Sequence, residues 1–133
     1  MNRTIAVIDD DACVRKAFGR LLRAADFDVA AYASAQEFLD APHDPAPDCA
    51  VLDMHMPGLS GLELQQRLHD IGMCIPLIVI TADGRNCQAS LDAGAVAYLR
   101  KPVDGPMLIG CIERAIATAP QRAQSVRLAA GVR

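Results

Sequence analysis

The side chains able to do chemistry gather at a few points: Asp9, Asp10 and Asp11 in one run, Asp53, Thr81 and Lys101. Each follows a short apolar run, so a fold that aligns those runs would collect them into one site. Three carboxylates brought within ~5 Å repel by ~3 kcal/mol per pair at an effective dielectric of 20, so such a site needs protons or a cation. Mg²⁺ meets that need, taking a few carboxylate oxygens while keeping waters and a phosphate oxygen, with Mn²⁺ as a substitute. Asp10 and Asp53 are the expected direct ligands. An aspartate can also attack phosphorus and form an aspartyl phosphate, a transfer that depends on positioning and charge neutralisation. Asp53 stands where this is expected. Lys101 would bring a compact positive charge to the phosphoryl oxygens and Thr81 a hydroxyl hydrogen bond. With eleven Arg and only two Lys in the chain, a lysine directly after Arg100 suggests that a point charge is wanted there.

Positioning these residues requires alternating strands and helices. Thr4 to Ile8, Val29 to Tyr32, Cys49 to Leu52, Leu77 to Ile80 and Val96 to Leu99 read as five buried strands. Between the first two, Val14, Ala17, Phe18, Leu21, Leu22 and Ala25 recur at helical spacing and form an apolar face. Ser34 with Glu37, and Ser60 with Glu63, match the S-x-x-E capping box and start helices after the second and third strands. Leu64, Leu68 and Ile71 give the third helix its stripe. Pro106 opens a last helix carrying Leu108, Ile112, Ala115 and Ile116, expected to end near Pro120. Asn86 to Ala93 reads as a poorer fourth helix and as a mobile one. Repeated β and α elements with short connections predict a doubly wound α/β fold with a parallel sheet; among doubly wound orders, the five-stranded 2-1-3-4-5, flavodoxin-like (βα)5, is expected. In that order the carboxyl ends of strands one and three meet at the switch point, where ligands bind.

Composition sets the limits. At 133 residues, 52% of them hydrophobic, the chain suits one domain, assigned here to residues 1–120, with 121–133 a tail or the start of an interdomain linker. Apolar runs are far shorter than the ~20 residues that cross a bilayer, and acids arrive before any signal-peptide core, so no membrane is involved and the cytoplasm is expected. Cys13, Cys49, Cys74, Cys87 and Cys111 are odd in number and lack a CxxC pair, so buried or half-buried free thiols are expected. Residues 119–133 hold three Arg and no acid, leaving ten basic against sixteen acidic residues upstream, a body charge of about −6. That sign opposes direct nucleic-acid binding.

IAVIDDDACVRKAF, VLDMHMPGLSGLEL, LIVITA and GAVAYLRKP, in this order and spacing, resemble the receiver domains of two-component response regulators of the CheY-like superfamily, over residues 4–118. The resemblance implies Asp53 as phosphoacceptor, Asp9 and Asp10 as the acidic pair, the main-chain carbonyl of His55 as a third metal ligand, and Thr81 and Lys101 as phosphate contacts. It implies a cis bond between Lys101 and Pro102, the bend aiming Lys101 at Asp53. Tyr98 corresponds to an aromatic switch that turns inward as Thr81 moves to the phosphate, remodelling the face of helix four, strand five and helix five. The implied partners are a sensor histidine kinase or phosphotransfer protein, a downstream protein or output domain, and a second copy in a phosphorylation-dependent homodimer. His55 and Asp83 lie two residues beyond Asp53 and Thr81, where side chains border the phosphate and set its lifetime.

Blander explanations exist for each part. Alone, Asp9 to Asp11 equally suit a solvated helix cap, Thr81 a strand-end hydroxyl and Lys101 an exposed chain. Their joint placement at strand ends favours the site. His43, His55 and His69 are scattered and read as surface residues, and the Met residues as packing. A rival reading is a phosphohydrolase of the haloacid dehalogenase type, since Asp9 and Asp11 form D-x-D. That family expects Thr or Val two residues past the second Asp, where Cys13 stands. A binding module that works without phosphorylation is opposed by the complete acidic, Thr and Lys set.

Overall fold

A computed structural model of the chain describes residues 3–42, 46–54, 61–72, 75–81 and 97–117. Five strands form one sheet: β1 (Thr4–Ile8), β2 (Asp28–Tyr32), β3 (Cys49–Asp53), β4 (Leu77–Thr81) and β5 (Ala97–Arg100). All pairings are parallel and the order is β2-β1-β3-β4-β5, as the sequence predicts. Helices α1 (Ala12–Ala24), α2 (Ala35–Asp40) and α3 (Gly61–Asp70) follow the first three strands, and residues 105–117 form a further helix.

Side chains alternate across a strand, so each strand feeds two cores. Ile5, Val7, Cys49, Val51, Ile78 and Ile80 pack with Leu22 of α1 and with Leu108 and Ile112 of the 105–117 helix. On the opposite face Ala6, Ile8, Ala50, Leu52 and Val79 pack with Phe38 of α2 and with Leu64 and Leu68 of α3. β1, β3 and β4 are thereby buried on both faces. β2 and β5 are not: they are the sheet's edges and are half exposed, which corrects the expectation of five buried strands. A short apolar run does not distinguish a central strand from an edge.

Local chemistry accounts for the helix ends. Ser34 is the N-cap of α2, its hydroxyl accepting from the Glu37 N–H at 3.0 Å, as the capping pattern predicts. Asp104 does the same for the 105–117 helix, accepting from the Met107 N–H at 2.9 Å, with Pro106 in the first turn. α3 stops at Asp70, and Gly72 adopts φ 76°. Ile71 therefore lies beyond the helix, 62% exposed, and does not extend the Leu64 and Leu68 stripe as expected. Ala17 of α1 is also exposed, while Phe18, Leu21 and Leu22 pack inward. Cys49 and Cys111 are buried free thiols, but Cys13 is exposed, on the outer side of the first turn of α1. Burial pushes the Cys49 thiol up to about 12, so it stays protonated and unreactive at neutral pH. Ser60, Cys74, Cys87, Asn86 to Ala93 and the region around Pro120 lie outside the described residues.

α2 has only six residues and depends on packing more than on its own hydrogen bonds. Its anchor is Phe38, fully buried and edge-on to Tyr32 at a centroid distance of 5.2 Å. Phe38→Ala is expected to destabilise the fold by about 3–5 kcal/mol, read as a lower urea midpoint at unchanged slope. A loss under about 1 kcal/mol would show that α2 is not held this way.

Candidate functional site

Strand register builds the site before any side chain is considered. Ile8 of β1 pairs with Leu52 of β3, so the next residues, Asp9 and Asp53, emerge side by side at the carboxyl edge. Asp53 pairs in turn with Ile80, one residue before Thr81, and Thr81 pairs with Arg100, one residue before Lys101. Asp9, Asp53, Thr81 and Lys101 thus lie at neighbouring strand ends. Main-chain bonds close the edge: Met54 N–H donates to the Ile80 carbonyl and Lys101 N–H to the Thr81 carbonyl, both at 2.8 Å. Asp53 and Thr81 are the last residues of their strands rather than the first beyond them, so the sheet's own pairing places their backbone.

Carboxylate oxygens of Asp9, Asp10 and Asp53 all lie within 4.8 Å of one another. Asp9 and Asp53 are buried, and Asp10 is exposed. Three hard oxygen donors with an open side suit a divalent cation that keeps part of its water shell. Burial, chiefly, holds the Asp9 carboxyl above its ordinary value, with the Asp53 and Asp10 charges adding to the rise; the Asp11 N–H and the Lys101 charge act in the opposite direction. The Lys101 ammonium stands 3.7 Å from Asp53 Oδ2, an ion pair but not a hydrogen bond. The Asp53 side chain is 8% exposed and that of Lys101 37%, so the pair runs from a buried carboxylate to a partly exposed ammonium.

Asp11, third in the acidic run, behaves differently. Its Oδ1 accepts from the Cys13 N–H at 2.8 Å and the Val14 N–H at 3.4 Å, making it the N-cap of α1. The cap explanation therefore holds for Asp11, while Asp9 and Asp10 converge with Asp53. This removes the D-x-D pairing of Asp9 with Asp11 on which the hydrolase reading rested. Tyr98, on edge strand β5, is 38% exposed, its ring at the surface. The Lys101–Pro102 bond is cis. His55, Asp83 and His43 lie outside the described residues, and His69 is exposed on α3. One contact was not anticipated: Arg15 Nη1 donates to the Asp9 carbonyl at 2.7 Å. Its signal in the sequence was position alone, a cation one helical turn after an acidic cap.

Residues 5–113 match the family model described as the response regulator receiver domain. The chain belongs to the response regulator receiver family. Among relatives of this receiver domain, TodT, a response regulator protein of Pseudomonas putida, is 37% identical over 120 residues, 89% of this chain and 53% of its own length. FixJ, a transcriptional regulatory protein of Bradyrhizobium diazoefficiens, is 39% identical over 127 residues, 94% of this chain and 62% of its own. The response regulator StyR has a structure that superposes with a TM-score of 0.87 at 37% identity, covering 96% of this receiver domain and 65% of the StyR chain. FixJ-N gives 0.82 at 35% identity, covering 89% and 96%. The chain thus spans about half the length of the first relatives it matches. As a receiver domain it takes part in two-component signalling. Among the described residues no helix is long and apolar enough to cross a membrane.

Proposed function

We propose that this receiver domain accepts a phosphoryl group from a histidine kinase or phosphotransfer protein onto Asp53, in a reaction that requires Mg²⁺. The observation that carries the proposal is the convergence of three carboxylates and one ammonium at the carboxyl edge of the sheet. Asp9, Asp10 and Asp53, with the main-chain carbonyl of His55, would hold the cation, which when bound neutralises charge on the transferring phosphoryl group. An Asp53 oxygen attacks phosphorus as the bond from phosphorus to the donor's imidazole nitrogen breaks, and the electron pair leaves with the nitrogen. Lys101, already facing Asp53, pairs with a phosphoryl oxygen, and the Thr81 hydroxyl donates to another.

The new phosphate adds almost two negative charges beside Thr81. Movement of Thr81 toward it would vacate space for the Tyr98 ring, which is at the surface here, and remodel the face that the motif resemblance assigns to helix four, β5 and the 105–117 helix. That face signals to a downstream protein or output domain, or pairs two phosphorylated copies. Residues 1–120 are proposed as the receiver unit and 121–133 as a tail or linker. Lifetime control by His55 and Asp83 rests on their positions two residues beyond Asp53 and Thr81.

Intact mass after incubation with acetyl phosphate tests the reading. One phosphoryl adduct is expected with Mg²⁺ and none with chelator, and borohydride trapping with peptide mapping is expected to place it at Asp53. Turnover of a phosphomonoester without an adduct would revive the hydrolase; neither result would leave a binding module.

A further inference from the structure

We propose that Arg15 is a positioning residue for the acidic pair, pinning the main chain of the Asp9 to Asp11 turn so that Asp9 and Asp10 present their carboxylates to the cation. This rests on the metal-dependent reading above and extends it to a residue outside the ligand set.

Arg15 stands in the first turn of α1, in reach of the acidic turn, and donates to a main-chain carbonyl there: Nη1 to Asp9 O at 2.7 Å. A guanidinium present only for charge balance would pair with a carboxylate, the stronger acceptor. By taking the carbonyl it leaves the carboxylate oxygens free for a cation. The carbonyl of Asp9 and the nitrogen of Asp10 share one rigid peptide plane, so holding that oxygen sets the direction in which the Asp10 side chain leaves the chain.

The rest of the turn needs this anchor. Asp9 N–H donates to the Tyr32 carbonyl at 3.1 Å, and Asp9 Oδ1 accepts from the Asp11 N–H at 2.9 Å. Asp11 is committed to capping α1. Asp10 is exposed, and among the described residues its side chain makes no hydrogen bond or ion pair. Its carboxylate is placed only by its backbone, and one side of that backbone is fixed by Arg15. Groups that orient metal ligands from outside the ligand set typically change affinity ~10–100-fold when removed.

The test measures Mg²⁺ binding by calorimetry on the full chain, for the wild type, Arg15→Met and Arg15→Lys, together with adduct formation from acetyl phosphate across a Mg²⁺ series. Arg15→Met is expected to weaken binding about tenfold and raise the half-saturating Mg²⁺ by the same factor, with the rate at saturating Mg²⁺ within about twofold of wild type. Arg15→Lys keeps a donor able to reach the carbonyl and is expected to recover most of the affinity. If the methionine variant does not fold, Arg15→Gln, which lacks the reach, takes its place with the same expectation. Unchanged Mg²⁺ affinity, or a rate loss that saturating Mg²⁺ does not restore, overturns the proposal. A wild type that binds no Mg²⁺ overturns the underlying reading as well, and is distinguished by the calorimetry of the unmutated chain.

Discussion

Asp53→Ala is expected to abolish phosphoryl adduct formation from acetyl phosphate, and Lys101→Ala to slow it by about 10²–10³ at saturating Mg²⁺. The two differ in kind. Asp53 supplies the oxygen that becomes bonded to phosphorus, and no other described carboxylate matches its position: Asp9 is tied to the Asp11 N–H, and Asp10 stands at the exposed rim. Lys101 supplies charge, not a bond. At 3.7 Å from Asp53 Oδ2 its ammonium is close enough to stabilise negative charge that spreads over the phosphoryl oxygens. Its removal should change the rate at saturating Mg²⁺ rather than the half-saturating Mg²⁺, the reverse of the pattern expected at Arg15. Lys101→Arg should not restore the rate, because a planar fork cannot replace a point charge in the same space. A Lys101→Ala rate within about threefold of wild type would remove the residue from the proposed chemistry.

The fold was legible because its signals are periodic. Five short apolar runs, alternating with helical stripes and two caps, leave few arrangements other than a doubly wound sheet; chirality and short connections do not by themselves choose among the doubly wound orders. What was not legible concerns position across the sheet. Val29 to Tyr32 and Cys49 to Leu52 are both unbroken runs of hydrophobic residue types, yet one is an edge and the other is central, a difference made by tertiary neighbours. Ile71 continued the α3 stripe in spacing but falls past the helix end, where Gly72 turns the chain.

At the site, residue types and their order along the chain announced the acidic cluster and its lysine, and register then brought them together. Residue type alone does not separate three successive aspartates; the resemblance singled out Asp9 and Asp10, and the structure has Asp9 buried, Asp10 exposed and Asp11 capping α1. Arg15 was invisible for a related reason. A cation on a helix surface is ordinarily solvated, and only geometry reveals that this one bonds to the Asp9 carbonyl.

Asp9→Asn is expected to move stability and metal binding in opposite directions. Three carboxylates within 4.8 Å repel one another, by ~3 kcal/mol per pair at an effective dielectric of 20, with Lys101 and the Asp11 N–H offsetting much of it. Burial, chiefly, with the Asp53 and Asp10 charges adding to it, holds the Asp9 carboxyl above its ordinary value of 3.8 in the folded protein. A carboxyl raised in this way favours the folded state when protonated: its contribution is fully present below the unfolded pKa and is lost as pH rises through the folded one. At neutral pH the ionised Asp9 is therefore held at a cost when no cation is bound. Asparagine removes the charge but keeps an oxygen for the Asp11 N–H, so the metal-free variant should melt roughly 3–6 °C higher than wild type at pH 7, with the gap closing as pH falls toward 4. Saturating Mg²⁺ should raise the wild-type midpoint, because a ligand of the folded state stabilises it by mass action, and raise the variant's much less. A metal-free Asp9→Asn protein less stable than wild type at pH 7 would show that the bonds made by the ionised Asp9 outweigh the cost of its burial and of its charged neighbours. An equal response of both proteins to Mg²⁺ would place the cation away from Asp9.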